Sequence, residues 1–466
     1  MRRLTLVLLV VATVLLASCA PAAAPTPEVI TKIETQVVKE TQVVEKLVTP
    51  VMEYPDEVRI GVVLPLTAGA AIYGEQTRAG LDVALEEINS SGGIESLGGA
   101  KINLIYGDSK STPDGALAES ERLVNQENVA VLMGAFQSGV TFAASTVAEK
   151  YHVPWHVLAS VKDEITKDRG FKYIFRDQKF TGMDAEQMVP VLNAFAEATG
   201  VRPKTYALLV EGGDWGRSTG TNLKKLFAGE GYELVMEEVY PSGQADFTAQ
   251  VLKLKEAQPD MLHLCMYTAD HILFSKEAMA QELYFPFGIF SYGGGSEDPT
   301  LYTSLPPEAV EYMFVEEDWD MRRMAEPWYP YLNDIIKAKL GYDIGIHVIR
   351  GYAQLYTLKD VLERAVYSPD LATYRDNIRD AYAATYITPE NAYMRELPSG
   401  EKFAPSLIRG VSRVVFDAEG QNPFAYGNVS QIIDGERTML FTMWDDLPTG
   451  KLLRPPVWPI PPWDER

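Results

Sequence analysis

Only two cysteines, Cys19 and Cys265, occur in 466 residues, which excludes a disulfide scaffold and every zinc pattern built on cysteine. Five histidines leave little for metal chemistry. Basic residues are also in deficit, since 42 Lys and Arg against 64 Asp and Glu give a formal charge of −22. Phosphate neutralisation needs clustered positive charge, so nucleic acid is not an expected partner. No apolar run after residue 19 is long enough to span a bilayer. What remains is an ordinary globular balance, 46% hydrophobic and 23% charged, over a length suited to two or three domains of roughly 100–200 residues each.

The N-terminus carries the most specific short signal. Arg2 and Arg3 precede an apolar run over residues 4–16 that ends in Leu16-Ala17-Ser18-Cys19. The pattern resembles the bacterial lipobox, which implies a lipoprotein signal peptide over residues 1–18 and a lipid on the Cys19 thiol. The plainer alternative is an ordinary signal peptide with a chance cysteine. Residues 19–56 read as a flexible tether, framed by prolines and containing the unit Glu-Thr-Gln-Val-Val twice, six residues apart. A period of six matches neither a heptad nor a helical turn, which favours an extended spacer. Cys265 is left as a buried apolar residue.

From Glu57 the chain alternates short β-branched runs with amphipathic segments. Strands are expected over residues 58–64, 102–106, 129–133 and 153–158, with helices around 81–91, 116–126 and 140–151 between them. A second series follows, with strands over 206–210, 234–239, 261–266 and 286–290 and helices near 220–229, 247–257 and 271–281. Strands separated by helices imply parallel pairing with right-handed crossovers, hence α/β lobes of doubly wound parallel sheet. The first passage between lobes is expected at residues 176–179. Further helices are expected near 328–340, 347–364 and 371–382, a last hinge strand over 411–417, and strands near 428–434 and 438–444. The segments 57–177 and 315–416 then make an N-terminal lobe and 178–314 with 417–446 a C-terminal one. A tail over 447–466, rich in Pro and Trp, cannot be helical and is expected to wrap over a lobe with its indoles buried.

The loops after the apolar runs carry aromatic or small hydroxyl residues: Tyr73, Ser138, Ala159-Ser160, Trp215, Tyr267 and Tyr292. In open α/β sheets ligands sit outside the carboxyl ends of strands, which makes these loops the expected ligand-facing edge. Two such edges facing one another form a cleft.

In collinear order, Ile60-Gly61-Val62-Val63-Leu64-Pro65-Leu66-Thr67, Ile72-Tyr73-Gly74, Ala79-Gly80-Leu81, Gly134-Ala135-Phe136-Gln137-Ser138-Gly139-Val140-Thr141, Ala159-Ser160-Val161 and Asp214-Trp215-Gly216 resemble the solute-binding proteins of branched-chain amino-acid ABC transporters. The resemblance runs from about Val58 to Asp417. It implies the type I periplasmic binding protein fold, two lobes joined by three hinge strands, closing on a small solute and delivering it to an ABC permease in the membrane. It also implies ligand contacts from Tyr73, Ser138, Gly139, Ala159, Ser160, Val161, Trp215, Tyr267 and Tyr292. Ser138 would open a helix, where its hydroxyl and the free N–H groups suit an anionic group; a plain N-cap is the alternative. The aromatic residues would supply ring faces from both lobes.

Three positions depart from the amino-acid binders. Val161 stands where they carry a carboxylate-holding Thr, with Ser160 beside it. Ser291 or Tyr292 stands where they place a Glu for the α-ammonium, and the next carboxylates are Glu297 and Asp298. The expected N-lobe disulfide is missing, with Ser109 or Lys110 and Gln137 at its positions. Leucine is therefore not the expected solute, because a buried ammonium needs a paired charge. Asp270 and the run Glu316-Glu317-Asp318 are candidate cation partners, although such a run is ordinarily a solvated face.

Enzyme signals are poor. Phe136 occupies the first glycine position of a nucleophile elbow around Ser138, and residues 212–218 lack the lysine and spacing of a phosphate loop. His263 and His271 read as satisfied structural histidines, and Glu86-Glu87 as a helix exterior. No cofactor, metal or catalytic constellation is expected. The expected role is an extracytoplasmic receptor for a small polar or amino-acid-like solute, lipid-anchored to the cell envelope; the alternative is a ligand-sensing domain feeding a signalling partner.

Overall fold

The computed structural model describes residues 53–443 and 449–465. The expected signal peptide, Cys19, most of the tether and Trp444 lie outside these.

The first sheet comprises β1 (Glu57–Leu64), β2 (Lys101–Asp108), β3 (Val131–Gly134), β4 (Trp155–Val157) and β5 (Ile174–Phe175), all parallel in the order β2-β1-β3-β4-β5. Its crossovers are α1 (Ala71–Ser90), α2 (Pro113–Asn125) and α3 (Ser138–Tyr151). Local chemistry starts α2 cleanly, since Pro113 sits in its first turn and the Thr112 hydroxyl accepts from Gly115 N at 3.1 Å. After α4 (Thr181–Thr199) come β6 (Thr205–Glu211), α5 (Asp214–Glu230), β7 (Glu233–Tyr240), α6 (Thr248–Ala257), β8 (Met261–Cys265), α7 (Thr268–Ala280), β9 (Ile289–Tyr292), α8 (Pro299–Thr303) and β10 (Phe314–Glu317). The chain then returns through α9 (Trp328–Leu340), α10 (Ile346–Arg364) and α11 (Leu371–Ala383). Four short strands, β11 (Tyr386–Ile387), β12 (Arg395–Glu396), β13 (Lys402–Phe403) and β14 (Val414–Val415), form two small ribbons before β15 (Asn428–Ile433), β16 (Glu436–Thr442) and β17 (Lys451–Leu452).

Each sheet is covered on both faces. In the first lobe α1, α9, α10 and α11 bury one face and α2 with α3 the other. In the second, α4 and α5 cover one face and α6 with α7 the other. The α1–α10 contact is unusually close. A Cβ on Gly80 would stand 2.1 Å from Val348 O, and one on Gly351 2.4 Å from Thr77 O, so the helices approach backbone to backbone through two glycines. Gly80→Ala forces them apart and is expected to cost about 1–3 kcal/mol, read as a lowered thermal midpoint.

Several expectations change. The second sheet, ordered β17-β16-β15-β10-β9-β8-β6-β7, is parallel only from β10 to β7; β15, β16 and β17 add antiparallel strands beyond β10. The strand expected over 286–290 lies at Ile289–Tyr292, because Gly288 takes φ +81° in a turn just before it. The stretch expected as a last hinge strand over 411–417 contains only β14, paired with β11; the neighbour of the first crossing is Gln421, bridged to Arg176. The second crossing, just after β10, is tied to the first lobe by Asp320 N donating to Arg409 O at 2.8 Å. Glu87 is not exterior: its carboxylate is buried, accepts from Tyr331, Tyr352 and Tyr356, and pairs with Arg395 at 2.8 Å. Cys265 is buried, as expected.

Candidate functional site

The parallel strands of the two lobes point their carboxyl ends at one another, and the segments leaving those ends enclose an inner cavity of about 50 Å3. Phe136 and Ser138 reach it from the β3–α3 connection, and Ala159 and Val161 from the loop after β4. The second lobe contributes Trp215 at the start of α5, Tyr267 before α7, and Tyr292, Gly293 and Gly294 at the end of β9. Gly294 has φ +38°, and a Cβ there would stand 2.7 Å from the Trp215 ring, so only glycine lets the β9 loop close over the indole. A wider outer cleft of about 740 Å3 adjoins, lined by Tyr73, Gly139, Glu211, Asp214 and Asp270 among others.

Six of the nine expected contact residues thus line the inner cavity: Ser138, Ala159, Val161, Trp215, Tyr267 and Tyr292. Tyr73, Gly139 and Ser160 do not. Tyr73 is not in a loop; it lies in α1, stacked on Phe136 at 4.5 Å. Its hydroxyl accepts from Thr268 N at 2.7 Å and donates to Thr268 Oγ1 at 2.8 Å, whose own proton goes to Asp298, so it latches one lobe to the other. Gly139 faces the Asp214 carboxylate across the same junction. Ser160 is spent internally, bonded to Thr141 and donating to Phe136 O at 2.9 Å. Lys162 Nζ meets Asp214 at 2.8 Å and Gln76 donates to Asp298 at 3.3 Å; with these contacts between the lobes, the structure is a closed form. Ser138 Oγ accepts from the amides of Val161 and Lys162, both at 3.2 Å.

The charged floor of the cavity lies outside the nine expected contacts, although Glu316 is one of the candidate cation partners named from the sequence. Lys179, Asp184, Glu297, Glu316 and Arg350 all line it, together with the His347 ring. Glu316, Glu317 and Asp318 form no solvated face: all three are buried. Lys179 pairs with Glu316 and with Asp184 at 3.1 Å. Arg350 pairs with Asp318 at 2.6 Å and approaches His347 Nδ1 at 3.2 Å. Glu297 accepts from Asp318 N at 2.8 Å. Glu317, the next strand residue after Glu316, points to the opposite sheet face, where it meets Arg437 at 3.3 Å and Ser430. Asp270 lines only the outer cleft, where it accepts from Tyr240, Ser242 and Gly243.

Burial raises all three floor carboxylates, Asp184 to about 6 and Glu316 well above the usual range, while Lys179 opposes the rise in both. For Asp184, which faces Lys179, Glu297, Glu316 and Asp318, the folded value lies above the ordinary 3.8. The native state then holds more protons than the unfolded chain between these values, so this group's contribution to stability falls as pH rises from about 4 through 6. Thermal unfolding of the ligand-free protein is expected to show that loss, and Asp184→Asn to flatten it.

His263 and His271 are both buried away from the cavity, though less completely bonded than expected. His263 Nδ1 bonds the Tyr292 hydroxyl at 2.8 Å, while neither ring nitrogen of His271 has a hydrogen-bond partner among the described residues. Burial lowers both to about 3 and leaves them neutral. Among the described residues no group of three His, Cys, Asp or Glu is placed to hold a metal, and no helix is long and apolar enough to cross a membrane.

Two α/β lobes thus meet with a cavity between their opposed strand ends. The sequence pattern of the periplasmic binding protein family matches residues 57–395, and the chain belongs to that family. It is 32% identical over 269 residues to Leu/Ile/Val-binding protein homolog 7 of Brucella abortus (strain 2308), covering 57% of this chain and 64% of that protein, less than two thirds of its length. It is 26% identical over 402 residues to homolog 8 of the same organism, covering 85% and 90%. Among solved structures it is similar to the leucine-binding protein LivK of Thermotoga maritima (TM-score 0.63, 20% identity, 82% of this chain and 97% of that one). A Rhodopseudomonas palustris ABC-transporter solute-binding protein in complex with benzoate superposes with TM-score 0.65 at 17% identity, over 82% and 95%.

Proposed function

We propose that this protein is the extracytoplasmic solute-binding receptor of an ABC importer. It captures a small polar or amino-acid-like solute by closing two lobes and presents the closed form to a membrane permease. The observation that carries this reading is the inner cavity, walled by both lobes and lying where their strand ends meet. Differential binding to the closed form supplies the closing energy. Ser138, Ala159, Val161, Trp215, Tyr267 and Tyr292 contact the solute, while Tyr73, Gly139 and Ser160 hold the lobes and loops around it.

The boundary expected at residue 315 moves to 318, because β10 (Phe314–Glu317) belongs to the second sheet: the first lobe comprises residues 57–177 and 318–416 and the second 178–317 and 417–446, with 447–466 as a tail. Residues 1–18 are a signal peptide, and a lipid on Cys19 ties the clamp through a tether over 19–56 to the outer face of a membrane. No covalent chemistry is involved. A thermal-shift screen against a metabolite panel tests the reading: a raised midpoint without turnover supports a receptor, and product formation removes it. Trp215→Ala takes one wall from the cavity and is expected to weaken the solute at least tenfold with the fold intact. Titration calorimetry measures this, and unchanged affinity would deny Trp215 its role.

A further inference from the structure

The charges at the floor of the cavity do not balance. Arg350 is matched by Asp318 at 2.6 Å and Arg409 by Asp177 at 3.2 Å. The buried guanidinium of Arg176 bonds to backbone carbonyls, Thr166 and Gln421. Among the described residues, Lys179 and Arg350, the latter already paired with Asp318, are left against three further buried carboxylates, Asp184, Glu297 and Glu316. A second observation points the same way. Glu316 is 2% exposed and lines the cavity, and its Oε2 has no hydrogen-bond partner among the described residues. An unmatched buried carboxylate is costly unless a cation or a proton joins it; in the ligand-free protein burial favours the protonated form of Glu316, and a cation in the cavity can take that proton's place.

The wall above this floor is aromatic. The Trp215 and Tyr267 rings meet at 5.1 Å and 53°, and Tyr267 and Phe136 at 6.4 Å and 43°, so the faces turn a corner around the space. Ring faces and a carboxylate together attract a desolvated ammonium. An anion finds less: the Arg350 guanidinium lines the cavity with its Nε unpartnered among the described residues, but its charge is already met by Asp318 at 2.6 Å. The amides of Val161 and Lys162 are taken by Ser138 Oγ, and the Ser160 hydroxyl by Phe136 O.

We propose that the solute is a small organic cation, an alkylammonium compound without a carboxylate, with its charged head against Glu316 and Glu297 and its alkyl groups on the Trp215 and Tyr267 rings. This rests on the solute-receptor reading and narrows it. Calorimetric titration of the full chain with tetramethylammonium, choline and putrescine, and with L-leucine and benzoate as counter-probes, tests it. At least one cation is expected to bind one to one, tenfold or more tighter than either counter-probe. Glu316→Gln is expected to weaken that cation at least tenfold. Since loss of the Lys179 partner can disturb folding, Glu297→Gln is measured in parallel, each with its ligand-free unfolding midpoint, and a weakening is expected there too. Tighter binding of leucine or benzoate overturns the cation assignment while leaving the receptor standing. Silence from all three cations also overturns it; the receptor reading falls with it only if a whole metabolite extract leaves the unfolding midpoint unmoved. Cation binding unchanged in both variants overturns the placement of the charge.

Discussion

Arg409→Leu is expected to destabilise the protein by about 3–5 kcal/mol, because it removes a buried cation and leaves its partners charged and dry. The Arg409 side chain is fully buried where the chain crosses between lobes, 3.2 Å from Asp177 and 3.5 Å from Asp318. Asp177 also accepts from Gln354 at 2.6 Å and lies 3.5 Å from His156. Burial alone would raise the Asp177 carboxyl, but Arg409, followed by His156, holds it well below the usual range. Without Arg409 that preference reverses, and the crossing that both lobes share loses its anchor. Denaturant unfolding measures the loss; a change under about 1 kcal/mol, the size of an exposed pair, would mean that the crossing does not depend on this contact.

Trp458→Ala is expected to cost a similar amount, about 3–5 kcal/mol, the range for deleting a large buried aromatic. The tail runs back over the second lobe and sets this indole, 5% exposed, edge-on to Phe195 and near Phe287, both at 5.2 Å, with Phe290 and Phe314 beyond. The backbone of Val457 is tied to Gln431 by bonds of 2.9 and 3.1 Å. Because Trp458 Nε1 has no hydrogen-bond partner among the described residues, the contribution is apolar, and Trp458→Phe should recover most of it. A tail that contributed nothing to folding would show equal midpoints for all three proteins.

Strands and helices with a strong period are legible in the sequence itself. The β-branched run at residues 58–64 becomes β1, and α9 has the expected bounds, because one-sided burial writes itself into spacing. No element is expected over Thr181–Thr199, since Pro190 stands inside that helix and breaks the usual pattern. The antiparallel edge of the second sheet is hidden for another reason: spacing along one chain shows strands but not their direction of pairing. Within the site, the aromatic wall follows from strand-end logic and the family resemblance. The floor does not. Glu316-Glu317-Asp318 reads as a solvated run until both faces of β10 are seen to be covered, and Lys179 and Arg350 lie far apart in sequence from the carboxylates they meet. The same holds for Glu87, whose phenol and guanidinium partners come from Tyr331 onward.

Native mass spectrometry of the chain after incubation with a whole metabolite extract tests the clamp most directly. A single small molecule should be retained per chain, come off unchanged when the protein unfolds, and be missing from Trp215→Ala. A bare protein mass across the extract, or a retained molecule released in altered form, would contradict the account.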